Sequence, residues 1–129
     1  MVALAVLLVG CGKSVEDVAW DSVVTSLRSP SAAKKVSVRQ EEIRNQRYRM
    51  WSYVEHLRQQ AEGNKVDVNE VATQFLADKE YKLFQVVIEF DGMNGFGAMI
   101  RDRRVIFVAT HLPGWNGPKL VELPENEPG

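Results

Sequence analysis

The 129-residue chain has a single cysteine, Cys11, and only two histidines, His56 and His111. One cysteine excludes a disulfide within the chain, so a folded body must be held together by its hydrophobic core. The 16 basic and 17 acidic residues leave a formal net charge of -1, which predicts neither nucleic-acid binding nor a strongly anionic partner. A hydrophobic content of 45% predicts one compact domain.

The sequence also lacks the common catalytic motifs: it has no phosphate-binding Gly-rich loop ending in Lys-Ser or Lys-Thr, no Gly-x-Ser-x-Gly and no His-Glu-x-x-His. We therefore expect no catalytic residue, no metal site and no cofactor. The alternative is a hydrolase in which His56 or His111 lies in a concave pocket beside Glu89 or Asp91. Separated or buried histidines would count against that alternative.

The one long apolar run, Val2–Gly10, stops at Cys11. It is too short to cross a bilayer, which takes about 20 residues, but it matches the apolar core of a secretory signal, about 7 to 15 residues long. The run departs from such signals in one respect, because no Lys or Arg precedes it.

The residues Leu8-Val9-Gly10-Cys11 resemble the lipobox of bacterial lipoproteins. The resemblance implies that the Cys11 sulfur carries a diacylglycerol, that the chain is cut before Cys11, and that the new amine is acylated. Gly12, where an Asp would signal retention in the inner membrane, implies an outer-membrane location facing the periplasm in a Gram-negative host. The expected membrane contact is thus lipid at Cys11.

These features divide the chain into a signal peptide (1–10), a lipidated tether (11–15), a single domain (16–111) and a Pro/Gly-rich tail (112–129). The alternative is a cytosolic domain without an anchor, in which the apolar run is a buried strand or helix and Cys11 is a small core residue.

The first helix is expected to begin at Ser14 or Asp17 and to end before Pro30, which disfavours helical geometry in the residue ahead of it. Trp20 lies on its apolar face and is predicted to be a core residue rather than a platform for a ligand. Apolar residues recur at helical spacing at Val15, Trp20, Val23, Val24 and Leu27.

A second helix is predicted over Val38 to Ala61, and a third is predicted to start at Asp67, where Glu70 completes a capping pattern. The second helix has an apolar stripe at Ile43, Met50, Val54, Leu57 and Ala61, widened by Trp51 and Tyr53. Its opposite face carries the basic residues Arg44, Arg47, Arg49 and Arg58.

The basic residues between Lys34 and Arg49 admit two interpretations. They could contact anionic head groups, since a tethered domain stays near the membrane. Because Glu41, Glu42 and Glu55 alternate with them, a solvated helix face with ion pairs is the favoured interpretation.

The C-terminal half predicts β structure. Leu83–Phe90 and Arg104–Thr110 are rich in β-branched and aromatic residues, and a short strand from Phe96 to Arg101 is expected to turn through Asp102-Arg103 into the last strand. The predicted fold class is therefore α+β, with N-terminal helices packed on a small C-terminal antiparallel β-meander.

Asn94, Gly95 and Gly97 are typical of a turn that needs positive φ, and Phe96 is expected to be a core anchor after that turn.

Two segments together resemble a group of small bacterial and prophage secreted proteins and lipoproteins. They are Leu27-Arg28-Ser29-Pro30-Ser31-Ala32-Ala33-Lys34 and Asn94-Gly95-Phe96-Gly97-Ala98-Met99-Ile100-Arg101. The resemblance implies a helix packed on a small antiparallel sheet and carries no defined activity. This chain departs from the group by the long segment 38–82 between the two motifs.

The tail is expected to be extended or mobile, and Trp115 is its exception. Trp115 is predicted to fold back over the sheet, with an exposed anchor for a protein partner as the alternative.

The sequence as a whole predicts a lipid-anchored envelope protein that contacts a membrane through Cys11 and an envelope protein partner, binds no nucleic acid and performs no chemistry. A prophage origin would suggest one concrete role, the exclusion of a second infecting phage. The oligomeric state is left open.

Overall fold

A computed structural model describes residues 13–123, and the α+β class is confirmed. The elements are, in chain order, α1 (Val15–Thr25), β1 (Lys34–Glu42), α2 (Gln46–Gln60), α3 (Val68–Ala77), β2 (Lys82–Met93), β3 (Met99–Thr110) and β4 (Lys119–Val121). A short 3₁₀ helix, Pro30–Ala32, links α1 to β1.

The four strands form one antiparallel sheet in the order β1-β2-β3-β4. β2 and β3 pair along their whole length, from Lys82 opposite Thr110 to Met93 opposite Met99. β1 pairs with the other edge of β2, with an irregularity between Lys35 and Ser37. β2 is therefore hydrogen-bonded on both sides, and alternate residues along it point to opposite faces of the sheet.

Helix α1 begins as the sequence predicts. The Ser14 hydroxyl accepts a hydrogen bond from the Asp17 amide at 3.0 Å, and the Asp17 carboxylate accepts one from the Ser14 amide at 3.2 Å. This reciprocal pair satisfies amides at the helix start that have no partner within the helix. The folded body thus starts three residues after Cys11.

One hydrophobic cluster joins α1 to the sheet. Its buried members are Val15, Ala19 and Val23 of α1, Val86, Ile88 and Phe90 of β2, and Val108 of β3. The α1 members are four residues apart, which places them on one face of the helix. Trp20 is half-buried and packs edge-on against Phe90 with ring centroids 6.0 Å apart, so its predicted packing role is confirmed.

A second cluster, here called the tyrosine cluster, joins α2 and α3 to the other face of the sheet. Its fully buried members are Tyr53, Val71, Phe75, Tyr81, Leu83, Ala109 and Leu112. The rings of Tyr53, Phe75 and Tyr81 contact one another edge to face at 5.3 to 6.0 Å. Such pairs add about 0.5–1.5 kcal/mol each beyond burial.

Arg49 joins the tyrosine cluster instead of lying on a solvated face. Its guanidinium lies 5.4 Å from the Phe75 ring centroid and 5.6 Å from that of Tyr81, and Nη2 donates to the Tyr81 carbonyl at 3.2 Å. The prediction that Arg49 belongs to an exposed basic face was therefore wrong. Because α2 packs on both α3 and the sheet, it buries a wider face than its apolar stripe indicates, and this face includes the stem of Arg49.

The predicted helix over Val38–Ala61 was wrong in its first third. Residues Lys34–Glu42 form the edge strand β1, and the helix begins at Gln46 with Asn45 as its cap. The physical reason is long-range, because β1 satisfies backbone groups along one side of β2 that would otherwise be unpaired. The charges on β1 suit an edge strand, where they discourage pairing with other chains.

The predicted turn at Asp102-Arg103 was also wrong, since both residues lie within the continuous strand β3. The chain reverses at Asn94–Ala98, as predicted for this segment, and Gly97 there has φ +83°. Phe96, expected in the core, is 97% exposed at this turn. An apolar residue at the end of a two-stranded projection has no second layer to pack against.

Part of the tail is ordered on the sheet. Leu112 is buried in the tyrosine cluster, and Lys119–Val121 form the short strand β4 against β3. The sequence analysis did not identify this strand, which has only three residues.

The apolar run Val2–Gly10 and Cys11 lie outside the described residues. Between residues 13 and 123, no helix has the length and apolar character required to cross a bilayer.

Two isoleucines test the assignment of the core. Ile88 of β2 is fully buried between the sheet and α1, whereas Ile100 on the neighbouring strand is 48% exposed. We expect Ile88→Ala to lower the free energy of unfolding by about 2–5 kcal/mol, through lost burial and a residual cavity. Ile100→Ala, the matched control, should change it by less than about 0.5 kcal/mol. Urea unfolding measures both, and equal effects would contradict the arrangement.

Candidate functional site

A groove of about 790 Å³ runs between α2 and the edge of the sheet formed by β3 and β4. Its walls include Trp51, His56 and Gln59 of α2, Phe107 of β3, and Lys119 and Val121 of β4. We call it the α2–β4 groove. Its volume falls within the range of about 300–1,000 Å³ that is usual for ligand pockets.

Local structure fixes both walls. The Asn45 side chain accepts hydrogen bonds from the Arg47 and Tyr48 amides and so starts α2. From there the helical repeat places His56 and Gln59, three residues apart, on the same face. On the other wall, pairing of Lys119 with Ala109 and of Val121 with Phe107 directs Lys119 and Val121 to one face of the sheet.

His56 is the centre of the polar contacts in the groove. It is 2% exposed, and its Nε2 lies 2.7 Å from the carbonyl oxygen of Pro113. Because a carbonyl only accepts, Nε2 carries the proton. Nδ1 then accepts from Lys119 Nζ at 3.3 Å, and the same ammonium donates to Gln59 Oε1 at 3.2 Å.

Burial lowers the pKa of His56 below its ordinary value of 6.5. The hydrogen bond to Pro113 opposes this change, while the positive charge of Lys119 reinforces it. The imidazole is therefore neutral near pH 7, in the tautomer that the Pro113 contact fixes.

Lys119 is the cation of the groove. Its Nζ lies 4.7 Å from the centroid of the Trp115 ring, and within residues 13–123 it forms no ion pair with a carboxylate. Cation–π contact and two neutral hydrogen-bond partners hold the ammonium in place without neutralising it. The groove thus presents a fixed positive charge beside apolar surface, and the carboxylates of Glu55 and Glu122 lie elsewhere on its lining.

Trp115 packs against the end of the groove but is not covered. Its ring contacts His56 edge to face with centroids 6.4 Å apart, and 45% of the residue remains exposed. Trp115 therefore folds back onto His56 and Lys119 while nearly half of it stays exposed. Trp51, 38% exposed, provides a second aromatic surface within the groove.

The histidines and carboxylates of the hydrolase alternative are far apart. His111 follows Thr110, which pairs with Lys82, whereas Glu89 lies seven residues further along β2, about 23 Å away. His56 lies near the same end as His111, because its partner Lys119 pairs with Ala109.

Within residues 13–123, no side chain near His56 is arranged as a nucleophile. The hydroxyl of Ser52, the nearest serine on α2, is hydrogen-bonded to the Tyr81 hydroxyl and lies 3.0 Å from the Arg49 carbonyl oxygen. Both ring nitrogens of His56 are also engaged.

Residues 13–123 contain no group of three or more His, Cys, Asp or Glu side chains that could hold a metal ion.

Sequence analysis missed the groove because its two walls are distant in sequence. His56 and Lys119 are 63 residues apart, and β4 has only three residues. Trp115 was the one signal available, since a tryptophan among prolines and glycines indicates a packed position.

Comparison with models of protein families, with curated proteins and with solved structures finds no match to this chain.

The position of His56 predicts a pH dependence of stability. The pKa of His56 is lower in the folded protein than in the unfolded chain, so the unfolded chain takes up a proton more readily. The free energy of unfolding is therefore highest above the pKa of the unfolded chain, near 6.5, and declines as the pH falls through that pKa. We expect His56→Gln, whose amide can still donate to Pro113, to remove part of this decline. The readout is the free energy of unfolding in urea at several pH values between about 5.5 and 7.5.

The matched control is His111→Gln at an exposed position. If the free energy of unfolding of His56→Gln declined with falling pH as steeply as that of the wild type, the buried, neutral state of His56 would be contradicted.

Proposed function

We propose that this chain is a lipid-anchored module of the bacterial cell envelope that binds a partner and performs no chemistry. The observation that carries the proposal is the position of Cys11. It ends a lipobox-like sequence and lies three residues before Ser14, the cap of the first helix. A lipid there would leave the fold intact, because the capping contacts begin after the attachment point.

The short tether has a geometric consequence. Three residues span at most about 11 Å, so an acylated Cys11 would hold the start of α1 close to the membrane surface. Two or more acyl chains make such an anchor durable, whereas a single chain binds only marginally.

The α2–β4 groove supports the binding part of the proposal. It offers the Lys119 ammonium, which has no carboxylate partner among residues 13–123, beside the exposed aromatic surfaces of Trp51 and Trp115. Aromatic residues of this kind often anchor protein partners. The ammonium favours a partner segment that carries a carboxylate.

Lipid attachment is tested by metabolic labelling with a palmitate analogue, followed by membrane fractionation. We expect wild-type protein to be labelled and to sediment with membranes, and Cys11→Ser to be unlabelled and soluble. A matched control combines Cys11→Ser with Ser31→Cys, which restores one exposed thiol outside the lipobox.

Labelling of the Ser31→Cys control would show that any exposed thiol is acylated. Equal labelling of Cys11→Ser, or a soluble wild-type protein, would remove the anchor from the proposal.

Partner binding is tested by a photo-crosslinking amino acid placed at Trp51 in the membrane-located protein. Val36 on β1, 45% exposed and remote from the groove, is the matched control position. We expect a discrete adduct from position 51 that weakens when Lys119 is changed to Glu, and none from position 36. Identical adducts from both positions, or none from position 51, would contradict a role for the groove.

A further inference from the structure

The end of the β2–β3 hairpin is an uncharged apolar projection. We define the hairpin tip as residues 92–100, a stretch without Asp, Glu, Lys, Arg or His. Phe96 is 97% exposed, and three more large apolar side chains at the tip are 39–48% exposed, namely Met93, Met99 and Ile100. Exposed apolar residues grouped in this way mark a contact surface.

The backbone of the tip is largely satisfied by its own residues. The Asn94 side-chain oxygen accepts from the amides of Phe96 at 2.9 Å and Ala98 at 3.0 Å. The backbone amide of Asn94 donates to the Ala98 carbonyl at 2.8 Å, and the backbone amide of Gly97 donates to the backbone carbonyl of Asn94 at 3.1 Å. A turn whose amides are paired internally loses little when it leaves water, since unpaired backbone groups are costly in an apolar medium.

The base of the tip is polar. Asp91 and Arg101 face each other across the two strands, with Asp91 Oδ1 and Arg101 Nε 2.5 Å apart. Arg28 approaches the turn from the α1 side, where its Nη1 lies 3.1 Å from the position that a Cβ would take on Gly95. Within the described residues Arg28 has no ion pair, whereas Arg103 lies opposite Glu89 in the register of β2 and β3, so Arg28 is the cation at the base without a carboxylate partner.

The tip lies at the end of the sheet nearest the tether. Glu16, in the first turn of α1, lies 3.4 Å from Lys35 Nζ, and Lys35 pairs with Phe90. Met93 is three residues further along β2, about 10 Å away. The opposite end of the same strand, at Lys82, is about 36 Å from Met93. A membrane that holds Cys11 would therefore meet the tip first.

We propose that the hairpin tip inserts into the interfacial layer of the bilayer, with Phe96 as its apolar anchor. The proposal rests on the proposed function, because it requires lipid at Cys11 to bring this end of the sheet to the membrane. Insertion of an apolar surface by about 5–10 Å is usual for proteins that lie on a bilayer. Arg28, at the base of the tip, is suited to an anionic head group at that depth.

A bilayer is favoured over a protein as the occupant for two reasons. The tip has no charged side chain and few free backbone donors with which to specify a protein partner. The short stretch between Cys11 and Ser14 also keeps it close to the surface.

The test uses the full chain coupled through Cys11 to a maleimide lipid, in vesicles of three parts phosphatidylethanolamine to one part phosphatidylglycerol. Phe96→Trp adds a fluorophore at the tip, and Val68→Trp, 52% exposed on α3 at the other end, is the matched control. The tryptophan fluorescence that each substitution adds to the wild-type signal is measured in two kinds of vesicle, with brominated and with ordinary acyl chains. Brominated chains quench a tryptophan that lies within the bilayer. We expect about twofold quenching for Phe96→Trp and none for Val68→Trp.

Equal emission from Phe96→Trp in the two kinds of vesicle would overturn the proposal, as would equal quenching of both variants. Chemical coupling separates this result from the proposed function. Failure of palmitate labelling in cells would remove the natural anchor, whereas an unquenched Phe96→Trp in coupled protein would remove insertion of the tip alone.

Discussion

The two-sided burial of strand β2 is the constraint on which the rest of the structure depends. Val86, Ile88 and Phe90 on one face must be covered by α1, and Leu83 on the other face must be covered by α2 and α3. β2 is also hydrogen-bonded along both edges, by β1 and β3. Removal of any one neighbour would expose either apolar side chains or unpaired backbone groups, and both are costly.

The sequence predicted the features that local rules determine. The capping box at Ser14 and the cap at Asp67 depend on neighbours within a few residues, and the inward position of Trp20 follows from the helical spacing of α1, although its partner Phe90 is distant in sequence. It failed at β1, where pairing with β2 outweighs a helical pattern, and at Phe96, whose exposure depends on how far the hairpin projects. The groove could not be predicted, because Lys119 meets His56 only through the pairing of β4.

The long paired strands separate two surfaces of different character. The tip lies beyond Met93, whereas the groove lies opposite Gln85, about 26 Å back along β2. An apolar, uncharged end beside the tether suits a membrane, and a groove with a fixed ammonium at the far end suits a partner in water. The proposed anchoring and binding therefore occupy different parts of one sheet.

The anchor is the central claim, and mass spectrometry of the N-terminal peptide from membrane-extracted protein tests it most directly. The account predicts a mature chain that begins at Cys11, with the mass of a diacylglycerol on its sulfur and of an added acyl group on its amine. An unmodified Cys11 within a chain that still contains Val2–Gly10 would contradict it.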